Sequence, residues 1–521
     1  MTTATPPRSR TSRQLSLALF ALVFLLVLAV VLRTVTTPSK QPVVQECSPY
    51  DTDFIAANDR LKRNFQKAIT FKTVSYDQSV QNTEELSKFV DFLREVFPTV
   101  HSSPLVKNEV IGNYSLLYTV AGSNDKLKPY ILAAHMDVVP VDGQAWNYPT
   151  FEGLEEDGFI YGRGTIDDKH CLMGIMEALE FRLQRGENPK RPLYIALGHD
   201  EEVSGFEGAL SIAQTLAARD VDIEFMLDEG MTVLDGVVPM VPKKTALIGV
   251  VEKGYLTVRA VLNTSNTGHS SMPPKHTCIG KLAMAIARLE ANPFPNMFGK
   301  GPERSMFDHL APEMTLLGRV VMSNLWLFSP IVSWVLSWKQ NTNAVIRTTT
   351  AVTKFESGIK ENVIPSSASA TINHRIHPAQ TVQQVYDYDN HILNEVMVND
   401  EEKIQVEMLN FLEPSHISPY DDDSFGYQTV VKSIRQVFPD VVVAPGVMIG
   451  NTDTRHYWNL TKNIYRFSPT IMKPTDLPRF HGVNERISIH NYEQVVNFFY
   501  HLMLNTDQEK LDLPHSHSAE L

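Results

Sequence analysis

Three runs of apolar, β-favouring residues each stop on a histidine or a carboxylate, and this pattern narrows the possible folds more than any other feature. Tyr130-Ile-Leu-Ala-Ala leads into His135-Met-Asp137, and Leu193-Tyr-Ile-Ala-Leu-Gly leads into His199-Asp-Glu201-Glu202. Ile223-Glu-Phe-Met-Leu leads into Asp228-Glu229. The runs are nearly continuous rather than alternating, which predicts strands buried on both faces. Helical stretches such as 171–185 separate them. Strands alternating with helices predict an α/β fold built on a mainly parallel sheet. In such sheets ligands bind beyond the carboxyl ends of the strands, so the terminal residues should converge on one pocket.

The pattern changes near Gly254. Tyr255-Leu-Thr-Val-Arg-Ala-Val-Leu and Ala368-Ser-Ala-Thr-Ile-Asn-His-Arg-Ile alternate polar with apolar, as half-exposed strands do. A helix is expected between them over 280–290. These features predict an α+β lid domain at 254–412, inserted between two catalytic segments at 51–253 and 413–505. Helices are expected at 426–437 and 492–503. A chain of 521 residues is long enough for two cores. Residues 34–50, with Pro38 and Pro42, read as a stem. Residues 506–521 read as a disordered tail whose His515 and His517 are solvated. The apolar stretch 316–338 holds Trp326, Trp334 and Trp338 of five tryptophans. It reads as lid core or dimer interface, in preference to a wall for a fatty acyl tail or a flap on a membrane or lipoprotein surface. Pro330 argues against one straight helix.

The N-terminus directs the chain. Residues 15–32 are apolar apart from Ser16 and come after Arg8, Arg10 and Arg13. Such a segment sends the rest of the chain into the secretory pathway, either as a cleaved signal peptide within 1–33 or as a type II anchor. Asn113-Tyr-Ser, Asn263-Thr-Ser and Asn459-Leu-Thr are glycosylation sequons consistent with that route. Cys47, Cys171 and Cys278 are too few for a disulfide framework. The net charge is −12 and the body has no run of Lys and Arg, which argues against nucleic-acid binding.

Two further segments belong with the strand ends. Tyr161-Gly-Arg-Gly-Thr-Ile-Asp167-Asp168-Lys169 precedes a helix, and Phe480-His481-Gly-Val-Asn-Glu485 comes late. Histidine and carboxylate without cysteine suit zinc, with cobalt or manganese as substitutes. Three ligand carboxylates and one hydroxide would balance two Zn²⁺. One of the adjacent Glu201 and Glu202 can bind metal while the other serves as base, if both remain in strand geometry. Asp137 shares a face with His135 and can accept a hydrogen bond from its imidazole.

These motifs, spanning about 60–505, resemble the M20 metallopeptidase family. The resemblance implies that Asp167 bridges two zinc ions, His135 and Asp228 complete the first site, and Glu202 and His481 the second. It implies that Glu201 is the general base, that Asp137 orients His135, and that the Asp167–Asp168 peptide is cis. Gly268-His269-Ser matches the lid histidine that stabilises an oxyanion. Asn362 and Arg375 match substrate-holding positions, with Thr452 and Arg455 as further candidates. Leu197-Gly-His-Asp-Glu-Glu, Gly268-His-Ser-Ser-Met-Pro-Pro, Asn343-Ala-Val-Ile-Arg-Thr-Thr-Thr and Gly450-Asn-Thr-Asp-Thr-Arg are most similar to secreted members acting on N-fatty-acyl amino acids. The implied activity is hydrolysis, and reversible formation, of that amide from fatty acid and amino acid. The implied assembly is a homodimer formed through the lid. The alternatives are a carboxypeptidase or dipeptidase with the same site, and a catalytically inactive membrane-tethered binding protein.

Overall fold

The computed structural model of the chain describes residues 10–395, 397 and 402–511. His515, His517 and most of the expected tail lie outside the described residues.

The main sheet contains β1 (Val106–Ile111), β2 (Ser115–Val120), β3 (Tyr130–His135), β4 (Leu193–Gly198), β5 (Met226–Leu234) and β6 (Thr245–Glu252). After a long excursion the chain returns as β11 (Val442–Met448) and β12 (Ile464–Met472), giving the order β11-β6-β12-β5-β3-β4-β2-β1. The block β12-β5-β3-β4 is parallel. Antiparallel neighbours flank it, and of these only β1–β2 is a hairpin. All six residues of β3 are buried, as its unbroken apolar run requires. Helices α2 (Lys169–Gln184) and α9 (Ile489–Thr506) cover one face. Gly174 permits their close approach: a Cβ there would lie 2.7 Å from Val495 Cγ1.

Register sets the height of the functional residues. Tyr130↔Leu193 through His135↔Gly198 brings the ends of β3 and β4 level. The third expected strand does not stop at Asp228 but runs on to Leu234. Pairing with β12 jumps from Arg466↔Asp228 to Phe467↔Met231, leaving Glu229 and Gly230 as a bulge. Gly230 has φ +144°, and a Cβ there would lie 2.7 Å from Arg466 Cβ. The bulge therefore needs glycine at this position.

A second sheet, of order β8-β9-β7-β10, is antiparallel throughout. Its strands are β7 (Gly254–Asn263), β8 (Thr349–Ser357), β9 (Ser367–Ile376) and β10 (Gln405–Leu412). The inward residues Leu256, Val258, Ala260 and Leu262 meet α3 (Cys278–Ala291) and α7 (Val382–Glu395), forming a separate core. Helix α8 (Phe425–Val437) returns the chain to the main sheet.

The stretch 316–338 does not belong to that second core. It forms α5 (Leu316–Met322) and α6 (Leu325–Leu336), bent by 108° at the break between them. Together with α4 (Glu303–Leu310), it buries Leu310, Met314, Leu325 and Val332 against Leu247 of β6 and Val442 and Ala444 of β11. The apolar face at this end of the main sheet needed a cover, and this segment supplies one. Trp326, Trp334 and Trp338 remain largely exposed.

The stem and the first residues of the expected tail pack against the body. Helix α1 (Arg10–Thr36) carries an exposed apolar stretch, Gln14–Thr36, long enough to cross a bilayer. Beyond it, Gln41 pairs with both backbone groups of Val443, and the Cys47 N–H donates to the Gln436 carbonyl. Asp507 pairs with Arg182, and Arg191 donates to the Gln508 carbonyl, so 506–511 lies on the body. The three cysteines are unpaired.

Candidate metal centre

The site is built around Asp167, at the end of the loop before α2. One carboxylate oxygen, Oδ1, lies 2.9 Å from His135 Nε2, and the other, Oδ2, lies 2.7 Å from His481 Nε2. Burial would raise the Asp167 carboxyl, but hydrogen bonds from His135 and His481 hold it below the usual aspartate range. Glu202 Oε2 is 3.5 Å from His481 Nε2, and Glu229 Oε1 is 3.5 Å from His135 Nε2. Two groups of candidate ligands result, His135–Asp167–Glu229 and Asp167–Glu202–His481, with Asp167 common to both.

Glu485 holds this loop in shape. Its Oε1 accepts from the backbone N–H groups of Gly164, Ile166 and Asp167, and its Oε2 pairs with Arg163 at 2.5 Å. Arg163 in turn donates to the His481 and Gly482 carbonyls, tying the two segments together. The Asp167–Asp168 peptide is cis, as the resemblance implies. Sequence reasoning assigned no role to Arg163 or Glu485. The position of Glu485, four residues after His481, was the available signal.

Glu201 and Glu202 lie in a 3₁₀ turn (Glu201–Val203) rather than in a strand, so strand alternation does not separate their roles. Their carboxylates part instead, Glu202 toward His481 and Glu201 toward Arg455, while the turn itself is held by Asp137. Its two carboxylate oxygens accept from the Glu201 N–H (3.1 Å) and the Glu202 N–H (3.2 Å). His135 Nδ1 is 2.9 Å from the Asp137 carbonyl and 3.3 Å from its Oδ1, which leaves Nε2 facing the pocket. Asp137 thus positions both the imidazole and the turn. Burial pushes Glu201 up to about 7, and the Arg455 guanidinium lies 3.5 Å from its Oε1.

Asp228 is buried and pushed up to about 6 by desolvation; its Oδ1 accepts from the Glu229 N–H. It falls outside both candidate groups, whereas Glu229, raised on the bulge, falls inside one. The resemblance pointed to Asp228, and two adjacent acids give no local indication of where a bulge will begin.

The donor set fits divalent cations. Glu202 Oε1, Asp228 Oδ2 and Asp168 Oδ1 are buried without a hydrogen-bond partner among the described residues. Burial also drives the Glu202 and Glu229 carboxyls well above their ordinary value. A buried cluster of this kind calls for positive charge from outside the chain. Cys171 joins Asp168 and His170 in a third group, but burial keeps it a thiol, and a thiol is a poor ligand.

The expected substrate residues separate into two places. Arg375 is exposed and donates to Asn451 Oδ1 at 2.8 Å; partial desolvation of its guanidinium and the nearby charge of Arg455 lower its proton affinity. Thr452 donates through its N–H and Oγ1 to Glu252 Oε1 and accepts from the Thr454 N–H, capping the turn that carries Arg455. Elsewhere, in the ribbon Gly268–His269 with Val363–Ile364, His269 Nδ1 bonds the Ser271 hydroxyl. There the Asn362 carbonyl accepts from the Ser270 N–H. Among the described residues, no contact joins His269 or Asn362 to the metal cluster. Asn113, Asn263 and Asn459 are all exposed.

Comparisons with known proteins agree with this geometry. The model of peptidase family M20/M25/M40 matches residues 131–505. N-fatty-acyl-amino acid synthase/hydrolase PM20D1.1 of Danio rerio is 52% identical over 454 residues, 87% of each chain. The Homo sapiens PM20D1 of the same description is 44% identical over 458 residues, covering 88% of this chain and 90% of its own. Probable carboxypeptidase S-like 2 of Dictyostelium discoideum is 43% identical over 491 residues, 93% of this chain and 92% of its own. Among solved structures, the M20 family metallo-carboxypeptidase Sso-CP2 from Sulfolobus solfataricus shares the fold. Its TM-score is 0.61 at 17% identity, over 86% of this chain and 99% of its own. The chain belongs to peptidase family M20/M25/M40, and is an enzyme of that metal-dependent hydrolase class.

Proposed function

We propose that this chain is a two-zinc amidohydrolase that cleaves N-fatty-acyl amino acids to fatty acid and amino acid, and forms them in reverse. The observation that carries the chemistry is Asp167, with one oxygen toward each imidazole. A carboxylate so placed would be able to hold two cations at once. His135 and Asp228 would complete the first site, Glu202 and His481 the second. Glu229, at 3.5 Å from His135, is a further donor to the first. When bound, the cations acidify water and polarise the amide carbonyl.

The chain's own residues supply the rest. Glu201, raised toward neutrality by its burial, accepts a proton from water at its carboxylate and returns it to the leaving nitrogen. Asp137 holds that glutamate and its neighbour in place. Arg375 and Arg455 offer two guanidinium groups to the substrate carboxylate. Residues 254–412 act as an inserted lid between catalytic segments 51–253 and 413–505. His269 and Asn362 bond within their own ribbon, and a homodimer in which a second copy's lid brings those residues to the site would give them the role the resemblance implies.

The substrate class is supported by the names of relatives 44–52% identical over most of the chain. A carboxypeptidase or dipeptidase reading is favoured by one observation, the 43% identical carboxypeptidase S-like relative. Turnover of oleoyl-amino acids beside dipeptides separates the two. Brisk dipeptide cleavage with no acyl-amino acid turnover would sink the first reading. Metal analysis should find two zinc ions per active chain, and Asp228→Asn against Glu229→Gln identifies which acid retains the first. A tethered binding protein is disfavoured because all seven metal and catalytic residues are present; full activity in Glu201→Ala would revive it.

We also propose that α1 is a retained type II anchor, placing the catalytic segments on the lumenal or extracellular side. Its last turns are bonded into the folded body: Arg33 donates to the Ser323 carbonyl, and Arg319 donates to the Thr34 and Thr37 carbonyls.

A further inference from the structure

We infer that the bent pair α5–α6 is embedded in the outer part of the same bilayer leaflet through which α1 emerges, so that the edge of the main sheet lies on the membrane. The inference rests on α1 being retained as an anchor.

The first observation is depth. Asn324, in the corner between α5 and α6, donates through Nδ2 to the Val30 carbonyl and to Thr34 Oγ1. Val30 lies two residues before the end of the apolar run at Leu32. A helix rises about 1.5 Å per residue, so the corner sits roughly 3 Å inside the end of that run. If α1 crosses a bilayer, this contact puts the corner where hydrocarbon meets headgroups. The contact is specific: Thr34 is buried, and Asn324 is fully so.

The second observation is the exposed surface of the two helices that meet at that corner. Leu316 and Leu317 on α5, and Trp326, Ile331, Trp334 and Val335 on α6, are exposed, as is Trp338 beyond them. Between Leu316 and Leu336 the only charged side chain is Arg319, and it is spent on α1. Neither helix is long enough to cross a bilayer, and their 108° bend keeps the pair shallow. Tryptophans favour the headgroup level, where ring and N–H are both accommodated. A soluble monomer would leave this patch in water at considerable cost. The opposite sides of the same helices pack on β6 and β11, which makes the connection to the catalytic body rigid.

The test uses the full chain reconstituted into phosphatidylcholine vesicles. Flotation reports the anchor, and tryptophan quenching by lipids brominated near or far from the headgroup reports the helix pair. Strong quenching, greater from the shallow label, is expected. Trp326→Phe/Trp334→Phe/Trp338→Phe should float equally and lose most of the quenching, leaving the signal of Trp146 and Trp458. Leu317→Glu/Ile331→Glu should float, keep its activity on a short-acyl soluble substrate, and lose quenching. Flotation of the unaltered chain without quenching would overturn the inference and leave the anchor reading standing. Cross-linking of this face between two copies, again without quenching, would assign it to a dimer and overturn the inference. Failure to float, with N-terminal sequencing showing cleavage after the apolar run, would remove both readings.

Discussion

Stripping the cations should make the pocket a pH-sensitive weak point of the fold. Burial raises Glu201 from the ordinary glutamate value of 4.5 to about 7, and Asp228 from 3.8 to about 6. Carboxyls raised in this way bind more protons folded than unfolded, so the metal-free fold loses stability as pH rises from about 4 to about 7. At about 1.4 kcal/mol per decade, each costs about 3 kcal/mol above that window. His135 acts in the same sense. Burial alone would lower its imidazole, but the charge of Glu229 and bonds to Asp137 and Asp167 raise it. Its contribution is therefore present at low pH and lost as pH rises. Asp167 acts in the opposite sense, but only below the ordinary aspartate range. With an unfolding entropy of about 2 cal/mol/K per residue, a chain of this length shifts about 1 °C per kcal/mol. The apparent melting temperature of chelated protein should therefore fall by roughly 3–6 °C between pH 5 and pH 8. Loaded protein should change much less. Melts by circular dichroism at each pH, with and without chelator, make the comparison. Glu201→Gln keeps the shape without the charge and should recover about half of the loss. A flat profile for the chelated protein, or one more stable at pH 8 than at pH 5, would refute the reasoning.

The geometry sets three other outcomes. Glu201→Gln should lower kcat by about 10²–10⁴-fold while metal content, read by elemental analysis, stays at the level of the unaltered enzyme. Arg375→Ala should raise KM for acyl amino acids by about 10–100-fold, and far less for analogues whose carboxylate is amidated, as steady-state kinetics would reveal. Arg466 is fully buried, with Nε 3.3 Å from Glu252 Oε1 and hydrogen bonds to Thr454. Arg466→Met leaves that acid uncompensated and should cost about 3–5 kcal/mol in denaturant melts, with partial rescue by Glu252→Gln.

Much of this was legible because strand burial writes itself into sequence. The apolar runs that form β3 and β4 announced a covered sheet, and the alternation in β7 and β9 announced a half-wet one. His135, Asp167, Glu202 and His481 were readable as chemistry at element ends, and the structure brings them together. The Asp228–Glu229 pair was less so: a bulge against β12 depends on a partner strand more than 230 residues away, which no local pattern records. The turn at Glu201 was missed for a related reason, since the Asp137 carboxylate that holds it comes from the end of another strand. The expectation that 316–338 lies in the lid core failed because composition shows that a segment is apolar, not which surface it will cover. Gln41 on β11 and Asp507 on Arg182 are single side-chain contacts that order segments whose composition alone suggested stem and tail.

Strand β12 lies between β5 and β6, yet it is the last strand of that sheet to be made. It carries Arg466, which packs against the Gly230 bulge, and only after it comes His481. The four-stranded sheet of 254–412, with its own core, can settle while the rest of the chain is still emerging. Strands β5 and β6 touch at Thr245↔Leu234 and Ala246↔Val233, but the rest of the gap between them stays open until β12 arrives. The nascent chain would therefore carry His135, Asp167 and Glu202 through most of its synthesis as scattered side chains without a pocket. Hydrolytic capacity would appear abruptly, once almost all of the polypeptide has left the ribosome, and a chain broken off before that point would be inert rather than partly active.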